Sequence, residues 1–319
     1  MLVRFWGTRG SLPVALTSEV VRRKVVNALM AADGRRFEDR AEAEAFADGE
    51  LGFAASSTYG GASPCVEIEA GDGSYFVCDA GSGLRPFGLN SMWRNAQGHR
   101  KNYNFFLSHL HWDHIMGFPF FVPAFDPGAT IRIHAVHPDA EEALRRQQEE
   151  ISFPVKFDWL RANIEFVTLE PGKKYEIDGV TVEAKQQAHS HVSYGYRFTD
   201  GGKSVIYSTD SEHKLENMAV ESLFIDFFRD ADLVICDTMY SLADSVSMKE
   251  DWGHSSNVVA VDLCHEAGAR KLALFHHEPT YDDEDIQRMH EESIRYEELT
   301  RRDSPLEVIC SYDGLEIRL

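Results

Sequence analysis

Ser108-His109-Leu110-His111-Trp112-Asp113-His114 follows directly on the apolar run Phe105-Phe106-Leu107. Three imidazoles and a carboxylate fall within six residues, at the spacing H-x-H-x-D-H. Neutral imidazole and carboxylate are the usual nitrogen and oxygen donors to zinc and similar divalent ions. Side chains alternate along an extended segment, so His109, His111 and Asp113 are expected on one face. A bend after them would turn His114 toward a second ion beside the first. Two adjacent cations suit hydrolysis, because water between them loses a proton near neutral pH while the metals hold the attacked group. A merely polar, His-rich loop is the weaker reading, because further donors recur downstream.

His189 precedes Ser193-Tyr194-Gly195-Tyr196-Arg197-Phe198, which reads as a turn entering a strand. Asp210 closes Val205-Ile206-Tyr207-Ser208-Thr209-Asp210, and His276 ends Leu272-Ala273-Leu274-Phe275. Each stands where a β-run stops, the place where a sheet presents groups to a rim site. Taken alone, such a residue is more often a turn or cap. Together with the H-x-H-x-D-H cluster, the three become candidate ligands.

Short β-rich runs recur between Gly- and Asp-rich turns: Leu2–Trp6, Cys65–Glu69, Tyr75–Cys78, Asn104–Leu107, Thr130–Ala135, Ile164–Thr168, Val180–Ala184, Lys203–Ser208, Leu233–Cys236, Leu272–Phe275 and Leu306–Cys310. Helical patterns lie over Ser18–Asp48, Pro138–Ile151, Met218–Arg229, Ser256–Ala267 and Asp282–Thr300. Ser255 or Ser256 is suited to cap the fourth of these, and Gly268 to stop it. Strands first and last with helices between predict an α/β protein whose sheets are covered by helices. The Ala-rich, charged Ser18–Asp48 stretch reads as an insertion: a lid, a dimer arm or a solvated excursion.

At 319 residues and 43% hydrophobic content, the chain can bury a large core. It has no run of about eighteen apolar residues and no basic-then-apolar leader, which argues against a membrane or secreted protein. The five cysteines are scattered and never in C-x-x-C spacing, as expected of reduced thiols in a cytoplasm. With 32 basic and 52 acidic residues the net charge is −20. Long nucleic acids are gripped by Lys and Arg, so this balance counts against a large RNA or DNA footprint.

These motifs resemble those of metallo-β-lactamase-fold hydrolases, most of all the branch of ribonuclease Z and the cyclic-nucleotide and phosphonate-pathway phosphodiesterases. Gly7-Thr8-Arg9-Gly10-Ser11, Gly60-Gly61-Ala62-Ser63-Pro64-Cys65, Cys78-Asp79-Ala80-Gly81-Ser82-Gly83 and Gly253-His254-Ser255 extend the likeness over nearly the whole chain. The resemblance implies an αββα sandwich, two mixed β-sheets flanked by helices. It is expected as a single domain over 1–319, with residues 17–55 as the helical insertion. By the same resemblance His109, His111 and His189 hold one divalent ion, Asp113, His114 and His276 hold the second, and Asp210 bridges them. The adjacent His277 stays open as an alternative to His276, which the strand end favours. Asp79 is similar to the carboxylate that orients a ligand imidazole or a site loop by hydrogen bonding in the family. His254 is similar to its non-ligand histidine, whose nearly neutral pKa suits stabilising an oxyanion or protonating a leaving alkoxide.

The implied reaction is hydrolysis of a small or cyclic phosphodiester by a hydroxide bridging the ions, with Asp113 orienting it and His254 assisting departure. The donor set suits zinc, with manganese or iron as alternatives. Relatives in the branch are commonly dimers, which makes a homodimer the expected partner state. A ribonuclease Z-like tRNA 3′ endonuclease has the same chemistry, but no Gly/Pro-rich basic arm is evident. A lactonase or thioesterase of the same fold, and a ligand-binding sensor, complete the alternatives. Arg9, Ser11, Ser63, Ser82 and Arg85 lie in turns expected near the rim, where one of them could bind phosphate, although an Arg in a glycine turn is as easily a surface residue. His99, His134, His137, His191, His213, His265 and His290 lack ligand spacing and read as surface or satisfied core groups.

Overall fold

The computed structural model of the chain describes residues 1–190, 192–213, 218–241, 253–302 and 304–319, with side chains in the helix Met218–Phe228 from residue 223 onward. Among these residues, fourteen strands form two sheets of seven. The first sheet holds β1 (Leu2–Gly7), β2 (Cys65–Glu69), β3 (Tyr75–Cys78), β4 (Asn102–Leu107), β5 (Thr130–Ala135) and β6 (Asn163–Thr168). The second holds β7 (Lys174–Ile177), β8 (Val180–Gln187), β9 (Ser193–Asp200), β10 (Lys203–Ser208), β11 (Leu233–Asp237), β12 (Lys271–Phe275) and β13 (Glu307–Cys310). The chain then returns to the first sheet with β14 (Glu316–Arg318), beside β1. Both sheets are mixed. β14, β1, β2 and β3 pair antiparallel, and β3 to β6 run parallel. Likewise β7 to β10 are antiparallel and β10 to β13 parallel.

Between β1 and β2 lie helices α1 (Ser18–Ala32), α2 (Arg40–Gly49) and α3 (Phe53–Ser56). The first sheet is accompanied by α4 (Leu84–Ala96), α5 (Trp112–Ile115) and α6 (Ala140–Arg146), and the second by α7 (Met218–Phe228), α8 (Asn257–Ala267) and α9 (Asp283–Thr300). The alternation of a pleated strand decides which layer each residue enters. In β4, Phe106 points to the centre of the sandwich, against Phe76, Tyr196 and Phe198, while Tyr103 and Phe105 point outward against Phe121. Ile206, Val234 and Leu274 similarly meet Val261 and Cys264 of α8 on the outer side of the second sheet. Strands buried on both faces carry no polar alternation, which is why Leu233–Cys236 of β11 and Leu272–Phe275 of β12 read as continuous apolar runs.

β3, β4, β10, β11 and β12 deliver their carboxyl ends to one edge of the sandwich, and the chain turns sharply there. Asp79, Asp210 and His276 take up left-handed backbone conformations at φ 58°, 47° and 64°. Few non-glycine residues enter that region, so three such turns at one edge mark a place the surrounding structure over-determines.

Several expectations shift. Ser18–Asp48 is two helices, because Asp33 adopts a left-handed cap before Gly34 and Asp39 caps a new start by accepting from Glu42 N–H. Pro138–Ile151 shrinks to α6. The helix α4 is unexpected: Pro86 sits in its first turn, and Gly88 fits because a Cβ there would lie 3.0 Å from the Phe121 ring. The short edge strands β7 and β14 also escaped the sequence reading, whereas Ser256 caps α8 and Gly268 ends it as expected. No residue of α1 is buried, and it is tied down by Arg23–Asp282 and Lys24–Asp283 ion pairs at 2.8 and 2.6 Å. All five cysteines are buried and none is in a disulfide. Among the described residues no helix is long and apolar enough to cross a membrane.

Candidate metal centre

The extended segment stops at Leu107, short of the histidines. His111 is the N-cap of α5, so Asp113 and His114 project from a helical turn rather than from one face of a strand, which corrects the expected geometry. His189 lies two residues beyond β8, Asp210 two beyond β10, and His276 directly after β12. All seven sequence-predicted donors are brought together, in groups whose ligand atoms lie within 4.8 Å of one another.

Asp210 stands at the middle. Its Oδ2 lies 3.7 Å from His109 Nε2 and 3.6 Å from His189 Nε2, and His189 Nε2 is 3.4 Å from His111 Nδ1. Its Oδ1 faces the other set, 3.2 Å from both His114 Nε2 and His276 Nε2. Asp113 Oδ2 closes that set at 3.0 Å from His114 Nε2 and 3.4 Å from His276 Nε2. One carboxylate thus faces an all-imidazole trio with one oxygen and a mixed trio with the other.

Nε2 of His109, His114 and His276 is buried with no hydrogen-bond partner. Buried polar atoms are rarely left so, and three converging on two carboxylates fit divalent cations. The electrostatics agree. Burial, then the neighbouring imidazoles, hold His109 and His111 below the ordinary histidine range, and burial does the same for His189. Burial works against ionisation of Asp113 and Asp210, but the facing imidazoles outweigh it and keep both carboxyls well below the usual range. His114 is raised, since Asp113, Asp210 and Asp79 overcome its burial. A cation taking its place among those charges would release that proton.

The ligand candidates are held by a second set of bonds. Asp79, fully buried, accepts from Ser108 N–H at 2.8 Å, and from Ser108 Oγ, Tyr207 OH and His114 Nδ1 at 2.7 Å each. A carboxylate only accepts, so Nδ1 of His114 donates, and Nε2 is the atom that faces the centre. His189 Nδ1 donates to Gly253 O at 2.8 Å. Gly253 has φ 84°, and a Cβ there would come within 2.6 Å of that same nitrogen. Gly10 is required likewise, since its Cβ would lie 2.5 Å from His276 Nδ1. Ser11 contributes its backbone, donating N–H to Asp113 Oδ2 at 2.9 Å.

His254 lies over the centre, its ring 5.1 Å from those of His189 and His276. Its Nδ1 is 2.7 Å from Oδ2 of Asp237, a wholly buried residue that the sequence reading missed. The signal was present: Asp237 ends β11 in the way Asp79 follows β3. Burial disfavours the His254 imidazolium, but Asp237 more than offsets it and pushes the pKa up to about 9, not the nearly neutral value expected.

The remaining candidates separate cleanly. His277 turns the other way, its Nε2 bonded to Ser311 O at 2.8 Å, which leaves His276 at the centre. Arg9 is 3% exposed and spends its guanidinium on the carbonyls of Gly60, Glu278 and Tyr281, so it holds loops together rather than meeting phosphate. Ser63 and Ser82 bond each other's backbone N–H groups. Arg85 is exposed on α4, and His191 lies outside the described residues. A cavity of about 890 Å³ lined by Lys174, Lys185, Arg197 and Arg229 lies on the outer side of the second sheet and contains none of these residues.

The beta-lactamase superfamily domain model matches residues 75–277. Ribonuclease Z of Oceanobacillus iheyensis is 26% identical over 244 residues, covering 61% of this chain and 77% of that protein. The crystal structure of the metallo-beta-lactamase fold protein YhfI from Bacillus subtilis is similar with a TM-score of 0.64 at 17% identity, over 99% of this chain and 98% of that one. A crystal structure of a diphosphatase from the PhnP family is similar with a TM-score of 0.60 at 16% identity, over 100% and 97%. Its domain match and its paired mixed sheets make this chain a member of the beta-lactamase superfamily with the metallo-β-lactamase fold.

Proposed function

We propose that the chain is a binuclear metal-dependent hydrolase acting on small or cyclic phosphodiesters. The observation that carries this reading is the Asp210 carboxylate, whose oxygens face two separate donor trios beside the His254–Asp237 pair. His109, His111 and His189 would hold one ion, Asp113, His114 and His276 the other, with Asp210 shared. Zinc suits the imidazole-rich set best, ahead of manganese or iron. Bound divalent ions supply Lewis acidity and bring the ionisation of water toward neutral pH.

The chain's own groups do the rest. Asp113, fixed by the Ser11 N–H, orients the attacking water. His254 carries a proton at neutral pH and delivers it from Nε2 to the departing oxygen, while Asp237 holds Nδ1 and fixes the ring. A net charge of −20 supports a small substrate over a polyanion, which it repels at long range. Five cysteines outside any disulfide support a reducing, cytoplasmic setting.

Curated relatives named ribonuclease Z favour tRNA 3′ processing as the second reading. A panel on metal-replete protein decides: 3′,5′- and 2′,3′-cyclic nucleotides, linear dinucleotides, pre-tRNA, bis-p-nitrophenyl phosphate and a p-nitrophenyl ester. Highest kcat/KM on a small diester, with mild salt dependence, is the expected result. Efficient, salt-sensitive cleavage of pre-tRNA alone would transfer the chain to the second reading. Ester hydrolysis without diester hydrolysis would indicate a lactonase or thioesterase, and metal binding without turnover a sensor.

A further inference from the structure

Beyond the imidazoles of His109 and His111 a cavity of about 230 Å³ opens, lined by His109, Leu110, His111, His137 and Val192. Neither the Asp210 network nor the His254–Asp237 pair accounts for it. Its walls are fixed: Tyr194 N–H donates to Ser108 O at 2.9 Å, tying the start of β9 to the turn that carries His109. His137 packs edge-on against the Tyr194 ring at 5.0 Å between centroids. Its imidazole is held by the backbone of Ser108 and Val192.

No lysine, arginine or carboxylate is among the lining residues. Drug-sized ligands occupy pockets of roughly 300–1,000 Å³, so this smaller space matches one ring. Apart from His109 and His111, which are ligand candidates of the first trio, its walls offer a second phosphate no charged partner, and desolvating it there is costly. A ring, by contrast, would bury its faces against Leu110 and Val192.

We propose that this cavity is the subsite for the ester substituent that stays on phosphorus, and that it takes one uncharged ring and rejects a further phosphate. The proposal rests on the phosphodiesterase reading and narrows it: the preferred substrate is a diester with a neutral, ring-bearing substituent rather than an internal linkage of a polynucleotide.

The test compares methyl p-nitrophenyl phosphate with phenyl p-nitrophenyl phosphate, which share a leaving group and differ only in the retained ester. Wild type should favour the phenyl diester by about tenfold or more in kcat/KM, the scale of burying one ring, mainly through KM. Val192→Trp, which fills the cavity, should cut that preference to about threefold or less. The ratio is taken within each protein, and melting temperature with metal content reports whether the variant folds. Equal kcat/KM for the two diesters in wild type, or a preference that survives Val192→Trp, overturns the proposal. If neither diester is cleaved, the phosphodiesterase reading falls, and titration of phenylphosphonate against methylphosphonate tests the cavity by itself. About tenfold tighter phenylphosphonate binding that Val192→Trp abolishes supports it; equal or undetectable binding overturns it.

Discussion

His254 Nδ1 lies 2.7 Å from Asp237 Oδ2, and Asp237 also accepts the N–H groups of Ser211 and Met239. Three donors therefore converge on a carboxylate with no access to water, and the charge is spent on one imidazole. Asp237 thereby fixes both the orientation of His254 and its proton affinity.

That proton sets a pH limit. The folded His254 keeps its proton up to about pH 9, above the ordinary ~6.5 of a free histidine. The pair's contribution to stability is therefore complete below about pH 6.5 and is lost as pH rises through about 9. As the proton donor, His254 should give a kcat/KM that declines on the alkaline side for a substrate with a poor leaving group, at or below about pH 9, since cations held by Asp210 and Asp113 would oppose the imidazolium. Asp237→Asn should bring that decline down by about a pH unit or more, read from a profile between about pH 6 and 10. A limb that stays in place would assign it to another group.

Removing the donor tests its role directly. His254→Ala should retain metal and fold but lose roughly 10²–10⁴-fold in turnover. The loss should shrink for p-nitrophenolate, which leaves without a proton. Identical losses with good and poor leaving groups would reduce His254 to a positioning role.

Asp210→Ala should lose both ions, because its two oxygens face different trios. Metal analysis after gel filtration provides the check. Two tightly held ions in the variant would remove Asp210 from the site.

A separate titration sits in the core. His134 stacks on Phe106 with centroids 4.8 Å apart and hydrogen bonds Asn104 at 3.1 Å; burial, then the nearby Arg132 charge, lowers its pKa to about 4. The unfolded chain takes up this proton near pH 6.5, so stability is complete above that value and is lost as pH falls toward about 4. The contribution at stake is on the order of 3 kcal/mol. In urea unfolding at neutral pH and at about pH 4.5, wild type should lose more stability than His134→Gln. Equal losses in the two proteins would count against it.

The donor cluster was legible because most of its geometry is local: His109 to His114 span one strand end and one helical turn. Asp210 and His276 were legible because each follows an apolar strand. Asp237 follows one too, yet its meaning depends on His254, a neighbour in space alone, and the proton affinity of His254 was unreadable for the same reason. His276 and His277 could not be separated from sequence with certainty, since successive side chains leave a strand on opposite sides and either order is compatible with the motif. Helix α4 was hidden by Pro86 and Gly88, residues whose fit depends on their position in the first turn and on the Phe121 ring. The strands of the core were the easy part, since a layer buried on both faces writes itself as an uninterrupted apolar run.

Each donor trio draws from both layers of the sandwich. His109 and His111 follow β4 of the first sheet and His189 follows β8 of the second; Asp113 and His114 again follow β4, and His276 follows β12. An ion seated in either trio would therefore be a clip across the seam, adding coordination to the few polar ties between the sheets, such as Tyr196 OH to Leu107 O at 2.7 Å. The halves could not hinge apart at that edge without breaking coordination, whereas the ladders within each sheet would feel no such tether. Chelation should accordingly loosen the rim first, with amide exchange quickening at the carboxyl ends of β4, β10 and β12 before it spreads along the strands.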